Sequence, residues 1–396
     1  MNEDLAVEYH QQDTSYYCGA ACAQMVLDEV GSGLLSQDDL YTDNHNHSTT
    51  EAGWYTAPDG LQWTLNNRQS TKYFCLDALN TEDAISRMII WTIHHYDVAP
   101  VAMVYHSSHW IVIRGYTASA APGSSIDTTY TISGFDVNNP WPPTPTPGPP
   151  PPHSTGDVCG SGGMRGVADE HISYSTWQAD YMTGIDFGYW LGKYVAICDP
   201  DPPPDRGPRQ VTPRPKLEAG DRLLRSEEAA DRALRAVEAE GLVEREHWKG
   251  ALGSRVAGHP VLVQRLDRLD SYYWIVPVGQ GERGVPAAVS IDARFGDYRQ
   301  AIALREPSSN VWHALDKGEI EKIVSGRRFG LPDRLGQIFV RPEAMCVNPI
   351  LVWRPCQESL SPFYPFQLVT VGGSRLYVRV ADGQVFTQLT VDMHGI

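Results

Sequence analysis

The chain has no long apolar run. No stretch of about 18 successive apolar residues occurs in its 396 positions, which excludes a hydrophobic membrane-spanning helix. The opening MNEDLAVEYH places acidic residues where a secretory leader carries basic ones, and no apolar segment follows. No signal peptide is predicted, and the location reads as cytoplasmic. CxxC spacing is also missing. The seven cysteines, Cys18, Cys22, Cys75, Cys159, Cys198, Cys346 and Cys356, make no paired framework and read as reduced thiols. The one disulfide kept open is Cys159–Cys198, late in the first half. Basic residues are scarce in that half: residues 1–200 hold 6 Lys+Arg against 23 Asp+Glu, while residues 201–396 hold 26 against 25. Such a field repels nucleic acid and anionic membrane. It serves solubility and favours a cationic substrate or partner.

Hydrophobic residues make up 42% of the sequence, enough for a core in each of two domains. Gln12–Leu27, QDTSYYCGAACAQMVL, organises the first. Gln12 stands six residues before Cys18. Small residues follow the cysteine, then Ala21, Met25 and Val26 mark an apolar helix face. Cys18 is therefore expected at a helix N-terminus, where the dipole favours a thiolate. Gly19 leaves the start of that helix uncrowded. Backbone N–H groups there, with the Gln12 side chain, would serve a developing oxyanion. Cys22, one turn on, reads as a core cysteine.

Gln12, Cys18-Gly19-Ala20-Ala21 and Met25 resemble the start of papain-like cysteine peptidases, above all the bacterial bacteriocin-processing (double-glycine leader) peptidases and their stand-alone relatives. The resemblance covers roughly residues 8–200. It implies helices followed by an antiparallel sheet and thiol-protease activity on a peptide or protein. The sequence calls for no cofactor or metal.

A thiol nucleophile needs a base, and the base needs an orienting group. His109-Trp110-Ile111-Val112-Ile113-Arg114-Gly115-Tyr116 reads as a strand opened by histidine, after the buried strand Val98–Tyr105. Thr129–Phe135 reads as the returning strand, and Asp136-Val137-Asn138-Asn139-Pro140-Trp141 follows. His109 and a polar residue past the second strand would be neighbours. The resemblance implies His109 as base. Family members usually carry Asp before that Pro; here it is Asn139, the residue type papain uses, and Asp136 stays open as the alternative. His94 and His95, at the end of a helix read from Thr81 onward through Ile85, Met88, Ile89 and Ile93, are rivals, as is His106. His45 and His47 lack ligand partners at metal spacing and read as a solvated loop within Leu34–Thr50.

Ala57–Gly60 reads as a turn, Leu61–Asn67 as a short helix, Ile172–Met182 as another, and Lys193–Ile197 as a closing strand. Residues 141–153 read as a proline-rich insertion: the polyproline run at 142–152 is a stiff spacer, or a ligand for a Pro-binding module. Cys159–Gly163 reads as a flexible loop. These readings give a domain over 1–198, a proline linker over 199–215 and an α+β accessory domain over 216–396. In the accessory domain a helix capped by Ser226 precedes strands. Similar strand order at about 261–304 and 350–389 suggests an internal repeat.

The function expected is peptide-bond hydrolysis by Cys18, His109 and Asn139 or Asp136, with Gln12 in the oxyanion hole. The same thioester chemistry would serve deamidation or acyl transfer. The alternative is an inactive peptidase fold that binds peptides, with residues 216–396 carrying the interaction.

Overall fold

A computed structural model describes residues 1–140 except 15, 167–198, 222–245, 248, 251–252, 257–279, 285–308, 312–331, 336–359 and 361–391. The polyproline run, the Cys159 loop with its conjectured disulfide, and the 199–215 linker lie outside the described residues. The chain forms two compact units, Met1–Lys216 and Leu217–Asp392. Both mix helices with antiparallel sheet. No described helix is long and apolar enough to cross a membrane.

In the first unit, β1 (Asn2–Asp4) precedes α1 (Cys18–Glu29), α2 (Gln37–Asn46) and α3 (Pro58–Asn67). Then come β2 (Cys75–Leu79), α4 (Glu82–Tyr96), β3 (Val101–Val104), β4 (His109–Ala118), β5 (Ile132–Asn139) and β6 (Val167–Ser173). A short turn of helix, α5 (Tyr174–Thr176), runs into a π-helical turn at Trp177–Tyr181, and β7 (Tyr194–Cys198) closes the unit. The sheet order is β2-β7-β3-β4-β5-β6, antiparallel throughout. β1 pairs with β4 where β3 has ended, Asp4 opposite Gly115.

α1 is buried from Cys18 to Leu27, so tertiary packing holds it rather than capping; Tyr17 at its N-cap makes no side-chain cap. α4 follows its sequence pattern. Thr81 Oγ1 accepts the Ala84 N–H at 3.2 Å. Ile85, Met88, Ile89 and Ile93 are fully buried, each stabilising by about 1.5–3 kcal/mol on the transfer scale. Asp97 ends the helix in the left-handed region.

Several boundaries differ from the sequence reading. Leu34–Thr50 is not a loop throughout, because α2 lies within it, with Asp38 and Asp39 in its first turn favouring the dipole. α3 starts at Pro58 rather than Leu61, since proline suits the first helical position. Ile172 belongs to β6; Ser173 stops the strand by accepting the Thr176 N–H. β5 continues to Asn139, four residues beyond the expected strand end.

In the second unit, α6 (Ser226–Ala239) has Arg225, not Ser226, at its N-cap; Glu228 reaches back to the Arg225 backbone N–H at 2.8 Å. β8 (Val261–Arg265), β9 (Tyr272–Val278), β10 (Val285–Asp292) and β11 (Tyr298–Ser308) form an antiparallel meander. α7 (Lys317–Val324) and a small hairpin, β12 (Arg328–Gly330) with β13 (Gln337–Phe339), come next. β14 (Met345–Trp353), β15 (Phe366–Val371), β16 (Ser374–Arg379) and β17 (Val385–Phe386) make a second meander. β14 runs parallel to β8 and joins the two. Phe363 and Tyr364 sit in the turn before β15. α6 closes a core over the first meander, and α7 closes another over the second.

Candidate active site

Three segments far apart in sequence meet in the first unit. Cys18 is the first residue of α1, His109 the first of β4 and Asn139 the last of β5. Antiparallel pairing of β4 with β5 sets Val112 opposite Asn138 and so carries Asn139 toward the start of β4. His109 Nε2 lies 2.8 Å from Asn139 Oδ1. The amide oxygen can only accept, so Nε2 carries the proton and the ring's lone pair is on Nδ1.

Cys18 reaches the same place from the helix side. Its sulfur is approached by the backbone N–H groups of Trp110, Gly19 and Cys18 itself. Trp110 follows His109 directly. Its indole Nε1–H donates to the Thr56 carbonyl at 3.1 Å. Thr56 in turn packs on Gly19, where a Cβ would come within 2.5 Å of the Thr56 Cγ2. A glycine after Cys18 is thus what lets this loop close over the helix start.

Gln12 is drawn in by its backbone, whose N–H donates to the Pro140 carbonyl at 2.8 Å, one residue past Asn139. Its side-chain amide donates to the Thr14 carbonyl at 2.6 Å, inside its own loop. Two residues that the sequence reading passed over hold that loop. Gln37 accepts the Asp13 N–H and donates to the Gln11 carbonyl and to Gln24 Oε1, and Gln24 lies on α1. Nothing in their spacing marks them, and Gln37 lay in a segment read as loop.

Asp136 is not beside His109. It is bound to His171, Nδ1 to Oδ1 at 2.9 Å, across the β5–β6 register, with both side chains fully buried. The even spacing of a strand turns residues 136 and 139 to opposite faces. The rival histidines are placed elsewhere. His94 pairs with Glu3 at 2.8 Å, His95 stacks on Trp91, and His106 Nδ1 donates to the Gly184 carbonyl on the surface.

The site is closed. Cys18, His109 and Asn139 have no solvent exposure, and Gln12 has 1%. Burial pushes the Cys18 thiol up to about 12, against the three N–H groups that favour the thiolate. Burial also brings His109 down to about 4, against its bond to Asn139. The resting pair is therefore neutral thiol and neutral imidazole. The Tyr105 ring stacks on that of His109. Tyr105, His106 and Ser107 all have positive φ, at 53°, 56° and 81°. Left-handed backbone in a non-glycine residue costs about 1–2 kcal/mol. This turn is held by Tyr105 N–H on the Tyr181 carbonyl and His106 N–H on Thr183 Oγ1.

Cys22 is fully buried, and burial holds its thiol well above the ordinary range. His45 and His47 direct Nδ1 to the carbonyls of Trp54 and Asp43. Glu8, His10 and Asp28 each offer a ligand atom within 4.8 Å of the others. That group is at the far end of α1, about 15 Å along the helix from Cys18.

Searches for similar proteins returned nothing: no protein-family model, no curated protein and no solved structure matches this chain.

Proposed function

We propose that the first unit is a papain-like cysteine peptidase domain, and that the chain hydrolyses peptide bonds. The observation that carries this is the 2.8 Å bond from His109 Nε2 to Asn139 Oδ1, next to the strand residue whose N–H approaches the Cys18 sulfur. Asn139 fixes the tautomer that leaves Nδ1 basic. His109 Nδ1 takes the thiol proton as Cys18 Sγ attacks the substrate carbonyl. The C–N bond breaks as His109 returns that proton to the leaving amine. Water, activated by the same nitrogen, then hydrolyses the thioester. The Cys18 N–H and one N–H of the Gln12 amide face the oxyanion, while the second amide N–H keeps the Thr14 carbonyl.

Turnover on this reading requires water and substrate to reach the buried pair. Water and substrate dipoles then offset the burial that holds the pair neutral. Asn139, rather than Asp136, is the orienting residue, because Asp136 already serves His171.

A second reading is a peptide-binding fold without turnover. The closed, neutral thiol favours it. A peptidyl vinyl sulfone, which alkylates a cysteine only with its base in place, separates the two. The peptidase reading expects one adduct, on Cys18, absent from His109→Ala. Labelling that is slow and unchanged in His109→Ala supports the binding fold.

All the residues named in this chemistry lie in the first unit. In the accessory unit a helix precedes a four-stranded meander in each half, with the β12–β13 hairpin interposed in the second, which supports a duplicated module with a binding role.

A further inference from the structure

Four tyrosines converge beside Cys18. Tyr16 and Tyr17 immediately precede α1, Tyr41 lies on α2, and Tyr55 lies in the loop before α3. Tyr17 stacks on Tyr41 at 4.7 Å between ring centroids, and Tyr16 on Tyr55 at 4.9 Å. Tyr16 also meets the other two rings edge-on, so the four form one continuous aromatic surface. Its outer member, Tyr55, is 43% exposed. A large aromatic left open to water beside a nucleophile has no role in the core.

The sequence that carries it is predominantly acidic. No lysine or arginine occurs before Arg68, whereas Asp and Glu number 11 over the same stretch. Arg68 is itself held by Asp43 at 2.5 Å. Asp38 and Asp39 open α2, and the Tyr17 hydroxyl donates to Asp38 at 2.7 Å. Burial and then Asp38 hold the Tyr17 phenol above its usual range, so it stays neutral and offers a π face, not a charge.

An aromatic face attracts a cation through its quadrupole, and nearby carboxylates add to that field. We propose that this tyrosine surface is a substrate subsite for a basic side chain, arginine or lysine, placing a peptide with a cationic residue near the scissile bond across Cys18. The assignment rests on the peptidase reading for its substrate class. Tyr55 is the residue that sets the preference, by laying its open ring against the guanidinium or ammonium group. Asp38 and Asp39 steer the cation toward it.

Binding without turnover tests it. Cys18→Ala protein is titrated calorimetrically with six Ala/Ser hexapeptides, each carrying one arginine at a different position, and with six in which citrulline replaces arginine. At one position arginine is expected to bind tighter than citrulline by about 5- to 30-fold. Adding Tyr55→Ala should abolish that advantage, and Tyr55→Phe should retain it, since the ring and not the hydroxyl makes the contact. Equal binding of both series, no binding of either, or an advantage that survives Tyr55→Ala overturns the subsite. Arginine-selective binding in Cys18→Ala, with no cleavage of the same peptides by the unaltered protein, would leave the subsite standing and remove the peptidase reading.

Discussion

His109 and Asn139, thirty positions apart, share a 2.8 Å hydrogen bond in the fully buried interior of the first unit. The bond decides which ring nitrogen can act. With Nε2–H given to the amide oxygen, the basic lone pair is on Nδ1. Asn139→Ala should therefore lower kcat on the order of 100-fold, the scale of general acid–base assistance. KM should stay close to its original value, because Asn139 orients the base rather than the substrate. Steady-state kinetics on any cleaved peptide checks this.

The buried imidazole also makes stability depend on pH. His109 titrates near 4 folded, against an ordinary value of 6.5. Between those values the unfolded chain binds the extra proton, so stability present above about 6.5 is lost as pH falls toward 4. The full effect is about 3 kcal/mol. Other groups titrate in the same window, the half-buried Glu29 being raised to about 7 by desolvation. The comparison to make is thus unaltered protein minus His109→Gln, by urea unfolding at pH 7.5 and 4.5. The difference should shrink at the lower pH.

Thiol reactivity reports the resting charge state. A sulfur held near 12 is almost wholly protonated at neutral pH. Iodoacetamide should modify Cys18 slowly at pH 6, with the rate climbing steadily up to pH 10. A flat, fast rate from pH 4 to 8 would instead indicate a preformed thiolate–imidazolium pair. Cys22→Ala should leave the profile unchanged and cost on the order of 1 kcal/mol of stability from the lost buried sulfur.

Gly19→Ala should impair both folding and activity. The new Cβ would lie 2.5 Å from Thr56 Cγ2 and 2.8 Å from its Cβ. Thr56 must shift, and its carbonyl anchors Trp110, the neighbour of His109. Overpacking of this kind costs about 1–3 kcal/mol. Thr56→Ala in the same chain should restore part of the loss, read by thermal unfolding.

The parts of this site that were legible in the sequence are those written in local pattern. The helix from Cys18, the apolar face of α4 and the strand opened by His109 follow from periodicity, and their positions need little tertiary help. The choice between Asp136 and Asn139 was not legible. It depends on strand parity and on how far β5 continues, and the existence of His171 as a partner for Asp136, more than thirty residues away in sequence, is set by the pairing of β5 with β6. α2 was hidden because its single buried apolar residue, Leu40, leaves no stripe; its buried Gln37 and Asn44 are polar. The packing of Tyr105 against His109 depends on hydrogen bonds from segment 181–184, which no spacing rule connects to residue 109.

The most direct test is peptide cleavage itself. The full chain and its Cys18→Ala variant are incubated with a proteome-derived peptide library, and newly formed amino termini are tagged and sequenced. The account predicts a defined set of new termini from the unaltered protein and none from the variant. Identical termini from both, or none from either, would contradict it.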